Sequence, residues 1–254
     1  MNKLIKNKFK IGKDLLFHLF LPQPSKVLFD HLPKCGGSTL NIYLEKNYEK
    51  GSIFVINGSD PLKSIKKFNN LSEKERKKFK LIRGHLAIKL IDLLDDSYMK
   101  ITMLRDPVDR VVSHYYHAKR NKTHYLNSYI NENDISLENY VAIGKGGELQ
   151  NWYVSHFSGN SPEYVKQNPK KSLDQALIFI KENYDLVGFT DNFDLFADKL
   201  KNKAKYYSSY TNFRKNVSSG RMKLNEISKE TLNVIEKYNS LDIKLYNLVK
   251  ELYK

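Results

Sequence analysis

The 254-residue chain reads as an α/β protein, a three-layer fold with a central, mainly parallel β-sheet flanked by helices. Three observations predict this. Short apolar, β-prone runs alternate with helical patterns along the chain, the order that gives parallel strands joined by crossover helices. The first such run passes through a glycine-rich turn directly into a helix. A later run ends in Arg-Asp-Pro, which opens another helix.

Residues 1–25 stand apart from a single domain over 26–254. They begin MNKLIKNKFKIGKDLLFHLF, a basic start and then an apolar stretch broken by Asp14 and His18. No small-residue cleavage site follows, which argues against a signal peptide. The segment is expected to form an amphipathic helix that packs on the domain or rests on a membrane surface.

Within the domain, strands are expected at 26–32, 52–57, 79–84, 98–104 and 184–190. Val27, Leu28 and Phe29 mark the first, while Ile101, Met103 and Leu104 mark the fourth as buried. Helices are expected near 37–48, 72–79, 86–95, 107–120, 136–142, 173–182, 192–202 and 228–253. The helix at 107–120 has the clearest start signal: Asp106 as N-cap, Pro107 at the first position and Asp109 in the first turn. Residues 58–70, 121–134 and 144–147 read as irregular connections, the last two shaping a cleft.

The bulk composition sets limits. With 41% hydrophobic residues the chain can bury one full core. No run of about 18 apolar residues is present, so no membrane span is expected. The formal net charge is +15, which suits anionic ligands. No helix-turn-helix, zinc-finger or RNP-type pattern accompanies it, so nucleic acid is not an expected partner. The lysine-dense run 63–80 reads most simply as a solvated helix face. The lone cysteine, Cys35, excludes an internal disulfide and fits a reducing, cytoplasmic compartment.

The chemistry concentrates in two segments. Pro33-Lys34-Cys35-Gly36-Gly37-Ser38-Thr39 lies between strand and helix, the setting in which backbone N–H groups and a helix N-terminus hold phosphate or sulfate. Ser38 and Thr39 can cap that helix and donate hydroxyls. Lys34 precedes the glycines, whereas a Walker A loop places its lysine after them. The second segment reads RDPVDRVVSHYY from Arg105. Arg105 falls at the carboxyl end of a strand, where open α/β sheets bind ligands, and a guanidinium there can grip phosphate through two bonds. Ser113, two turns into the helix, can add a hydroxyl. Cys35 could be acidified beside Lys34 and a helix start, although a small loop-filling residue is the plainer reading.

Together these motifs resemble those of the PAPS-dependent sulfotransferases (PAPS being 3′-phosphoadenosine-5′-phosphosulfate). The likeness is to their carbohydrate branch, which includes the heparan sulfate 2-O-sulfotransferases and bacterial relatives. HLPKCGGSTL stands where that family has PKxGGTS or PKxASTS, and RDPVDRVVSHYY matches its RDPxxRxxSxYY almost throughout. Arg83-Gly84-His85 resembles the family's HGH segment, with arginine in place of the first histidine. Residues 149–159 resemble its NxQxxxLSG stretch. Residues 185–190 resemble its VGxTE strand, with Asp191 at the glutamate position, where it is expected to end the strand and cap the next helix. Residues 241–246 resemble the closing DxxLY helix.

The resemblance implies a P-loop-like fold, PAPS as sulfuryl donor, PAP as product, and no metal. It implies that Lys34, Cys35, Gly36, Gly37, Ser38 and Thr39 hold the 5′-phosphosulfate, and that Arg105 and Ser113 hold the 3′-phosphate. In a late loop, 216–221, Arg221 is either a further 3′-phosphate contact or part of a plain basic turn. Lys34 would stabilise the leaving phosphate and His85 would be general base, since neutral imidazole is available near pH 7. His31, His114, His117, His124 and His156 are weaker base candidates. Arg83, Gln150 and Trp152 would meet a carbohydrate or glycolipid acceptor. Two other functions stay open at this point: a P-loop-like nucleotide kinase or phosphotransferase, and a non-catalytic anion- or glycan-binding protein.

Overall fold

A computed structural model describes residues 23–211 and 221–253. The expectations for the N-terminal segment before residue 23 and for loop residues 216–220 lie outside the described residues. The elements, in chain order, are β1 (Lys26–Asp30), α1 (Gly37–Glu45), β2 (Ile53–Val55), α2 (Pro61–Asn69), α3 (Glu73–Arg76), β3 (Leu81–Gly84), β4 (Tyr98–Leu104), α4 (Pro107–Arg120), α5 (Asn127–Glu132), α6 (Leu137–Ile143), α7 (Trp152–Ser158), α8 (Pro162–Gln167), α9 (Pro169–Asn183), β5 (Leu186–Phe189), α10 (Phe193–Ala204), α11 (Lys229–Tyr238) and α12 (Ser240–Leu252).

All five expected strands form, and they pair in parallel in the order β2-β3-β1-β4-β5. The three-layer α/β expectation therefore holds. β1 lies at the centre, with Val27, Leu28 and Phe29 fully buried. Each such side chain contributes about 1.5–3 kcal/mol on burial.

α4 spans the residues that the sequence indicates, because its start signal is complete. The Asp106 carboxylate accepts the Asp109 N–H at 3.0 Å, and Pro107 occupies the first turn. Several expectations need correction. Residues 58–70 are not irregular: Asp60 accepts the Lys63 N–H and starts α2, which buries Ile65 and Phe68. Residues 121–134 contain α5, and residues 152–167 hold α7 and α8. The segment expected as a helix at 86–95 is a 3-10 turn over Ala87–Leu93. The lysines of 63–78 are exposed, as a solvated face requires.

The closing helix is broken in two at Asn239, which is fully buried. Its side-chain amide donates to the Leu149 carbonyl at 2.9 Å, and its side-chain oxygen accepts the Asn151 N–H at 3.3 Å. The exchange is reciprocal. Asn151 accepts the Leu241 and Asp242 N–H groups at the start of α12. Asp242 in turn accepts those of Tyr153 and Val154, both at 2.9 Å, at the start of α7. Each segment supplies side-chain caps to the other's helix start.

Candidate active site

The strand order β3-β1-β4 sets three chain segments side by side at the carboxyl edge of the sheet, the edge where open α/β sheets bind ligands. Asp30 lies opposite Gly84 on one side and Thr102 on the other. Continuing past those residues, the chain delivers His85, the 31–36 loop and Arg105 to one row.

The 31–36 loop turns back through two residues of positive φ, Lys34 at 65° and Gly36 at 76°. Gly36 is also the N-cap of α1, and no side chain caps that end. Ser38 and Thr39 thus lie within the first turn and do not cap it, which corrects the sequence expectation. The uncapped N–H groups form a donor cluster suited to an anion. Cys35 points the opposite way: its side chain is fully buried, with the sulfur 3.0 Å from the Tyr153 hydroxyl. Burial pushes the thiol pKa up, so the acidified-thiol reading gives way to a loop-filling one. Only the backbone of Cys35 can serve the anion loop.

Arg105 joins the second segment to the first. Its Nη1 donates to the Lys34 carbonyl at 3.1 Å and its Nε to Asp109 at 2.5 Å. Arg221 pairs with the same Asp109 carboxylate from the far side. Tyr153 adds a further tie, its hydroxyl accepting the Arg105 N–H at 3.1 Å and donating to the Arg105 carbonyl at 3.0 Å. The crowding of cations is legible in their pKa values. Lys34 is lowered to about 8 by burial and then by Arg105, Arg120 and Arg221. Arg221 is lowered to about 10 by burial and then by Arg105. Ser113 is buried on α4.

On the other side of the loop stands His85. Its Nδ1 lies 2.5 Å from the His31 carbonyl oxygen. A carbonyl can only accept, so Nδ1 carries the proton and Nε2 keeps its lone pair when the ring is neutral. Among the remaining histidines, His114 bonds Tyr140 and Glu148 at 2.8 Å each, and His156 sits 3.6 Å from buried Asp30. His117 is lowered to about 4 by burial and then by Lys34.

Three residues expected at the acceptor are held in the domain's own contacts. The Arg83 guanidinium pairs with Glu45 at the end of α1. The Gln150 amide donates to the Val141 carbonyl at 2.8 Å and to that of Ala142 at 3.2 Å, anchoring the 144–150 loop to α6. Trp152 stacks on His156 and covers the buried Arg110 guanidinium. Asp191 does not cap α10 but pairs with Lys250 at 2.5 Å.

Sequence reasoning missed Tyr153, which bridges Cys35 and Arg105, and Asp109, which links Arg105 to Arg221. It also ranked His31 only as a weaker base. Asp109 was visible as a first-turn acid four residues after Arg105, the spacing of a helical ion pair. Nothing local marked Tyr153.

Comparison with known proteins places these features in a family. The profile described as "Sulfotransferase family" matches residues 17–249. Human uronyl 2-sulfotransferase is 22% identical over 193 residues, covering 68% of this chain and 47% of the relative, and the mouse protein gives the same values. The chain spans about half the length of these relatives. Among solved structures, a sulfotransferase from Alicyclobacillus acidocaldarius aligns at TM-score 0.46 with 14% identity, over 90% of this chain and 96% of the other. A mouse sulfotransferase solved with PAP aligns at TM-score 0.35 with 14% identity, over 91% of both chains.

Proposed function

Because the chain belongs to the sulfotransferase family, we propose that it transfers a sulfuryl group from 3′-phosphoadenosine-5′-phosphosulfate to a hydroxyl of a carbohydrate, either a glycan or a glycolipid. The observation that carries this reading is the Arg105–Lys34 bond, which holds two anion-binding segments together beside an imidazole of fixed tautomer. A donor with phosphate at both the 3′ and 5′ positions needs such a pair of cradles.

In this reading the N–H groups of the α1 start, with Ser38 and Thr39, hold the 5′-phosphate. Arg105, Ser113 and Arg221 hold the 3′-phosphate. The acceptor oxygen forms its bond to sulfur as the bond from sulfur to the bridging phosphate oxygen breaks. The hydroxyl proton passes to His85 Nε2, and Lys34 stabilises the charge gathering on the leaving phosphate. Lysine suits that task as a compact, mobile point charge. Bringing the two reactants into line supplies the remaining advantage. No step in this scheme calls for a metal ion. A cytoplasmic location completes the proposal, with the N-terminal segment packed on the domain or resting on the inner face of a membrane.

Calorimetry with PAP against ADP tests the donor half. Tight binding of PAP with weak binding of ADP is expected, and the reverse preference would favour a nucleotide kinase. Transfer of labelled sulfate to a glycan panel tests the acceptor half. The matched relatives are named for uronyl groups, so uronate-bearing glycans stand first on that panel. Donor binding with no transfer to any panel member would point to a non-catalytic protein.

A further inference from the structure

His85 is held by more than one hydrogen bond. The His31 ring stacks on it with centroids 4.5 Å apart and planes inclined by 25°. Phe29, two residues earlier in the chain, lies nearly parallel to the His31 ring with centroids 5.5 Å apart. Gly37 lies at the edge of the His31 ring, where any Cβ would land on the ring itself. Beyond His85 lies Gly58, whose absent side chain leaves 3.4–3.7 Å between an added Cβ and the Cδ2–Nε2 edge of the imidazole. His31 thus packs between Phe29, the His85 ring and Gly37, and Gly58 lies at the far edge of His85.

We propose that His31 is the positioning residue of the base: its ring clamps the His85 imidazole while its own carbonyl fixes the tautomer. The proposal rests on the reading of His85 as general base. Its logic is steric and electrostatic together. A flat ring restrains the tilt of His85, so that Nδ1–H stays on the carbonyl and Nε2 stays on the ring edge beside Gly58. The clamp must also be uncharged, because a cation there would oppose the imidazolium formed when His85 takes the proton. Burial and the neighbouring His85 imidazole hold His31 neutral down to about pH 3, with Arg83 and Lys34 acting in the same direction and Asp30 opposing them. The clamp also explains the glycine at 37, since the anion loop and the base share one wall.

Two variants of the full chain that both fill the site separate the clamp from mere packing. His31→Phe keeps a flat, uncharged ring, whereas His31→Leu keeps bulk without flatness. The readouts are donor and acceptor kinetics, and the His85 tautomer from long-range 1H–15N correlation of histidine-labelled protein above the titration range of the ring. His31→Phe is expected to retain the Nδ1–H tautomer and transfer within about threefold of the parent. His31→Leu is expected to show mixed tautomers and a kcat lower by about 10–100-fold, the size of a misplacement of about 1 Å. The donor KM should stay unchanged in both. Any result in which the two variants behave alike, in tautomer and in kcat, overturns the proposal. The tautomer is read without turnover, so this failure is distinct from normal transfer by His85→Ala, which would remove the base reading itself.

Discussion

Arg105 Nη1 reaches the Lys34 carbonyl at 3.1 Å, so the end of β4 is bonded directly to the 31–36 loop. In the proposed reaction the guanidinium therefore has two tasks, binding ligand and setting the spacing between cradles. A lysine could carry the charge but could not also serve Asp109 and the carbonyl from one rigid fork. Arg105→Ala is expected to weaken PAP binding by about 2–3 kcal/mol, the cost of a buried charge-assisted contact. Arg105→Lys should recover less than half of that, by calorimetry at matched ionic strength.

Burial, and then the nearby Arg105, Arg120 and Arg221, leave the Lys34 proton loosely held, with a pKa of about 8. In the free protein the ammonium is present below that value and lost above it. An anionic donor favours the charged form and so raises the pKa on binding. PAP affinity should therefore be flat below about pH 7.5 and fall as pH rises through 8, with proton uptake on binding in that window. Lys34→Arg should flatten the profile. A wild-type affinity unchanged from pH 7 to pH 9.5 would contradict this assignment. Lys34→Ala should lower kcat by about two orders of magnitude through lost leaving-group stabilisation.

His85→Ala removes the ring stacked on His31 but no group from either anion segment. PAP affinity should stay within about twofold while labelled-sulfate transfer falls to background, the mark of a proton acceptor and not a donor contact.

The exchange of caps between Asn151 and Asp242 predicts a stability effect remote from the chemistry. Asp242 is fully buried, accepts two N–H groups and lies near the buried Arg110 cation. Asp242→Ala strands both donors and removes one of the acidic groups near that cation, Glu148 being another. A loss of about 2–4 kcal/mol is expected by denaturant titration, the cost of two stranded buried donors. A loss below about 1 kcal/mol would mean that the helix starts find other partners.

The sheet was legible because its strands are apolar runs bounded by turn residues, and α4 because Asp106 and Pro107 announce its start. Helix α2 was not, since its lysine-rich surface hides the two buried positions Ile65 and Phe68. The break at Asn239 was invisible because the partners that hold it, Leu149 and Asn151, lie far away in the chain. The same limit applied at the site. Lys34, Arg105 and His85 stood out as residue types in suggestive settings. The inward turn of Cys35, the Tyr153 bridge and the His31 stack all depend on which strands are neighbours. Once β3 is known to lie beside β1, His31 and His85 fall level with one another, and the stack follows.

The inward turn of Cys35 has a practical consequence. It is the only cysteine of the chain, and its sulfur is sealed behind the phenol of Tyr153. A thiol reagent can reach it only when the 31–36 loop swings outward, so the labelling rate is a built-in clock for that excursion. Nucleotide lodged in the loop should slow the clock, giving an assay of occupancy that requires neither an acceptor sugar nor turnover.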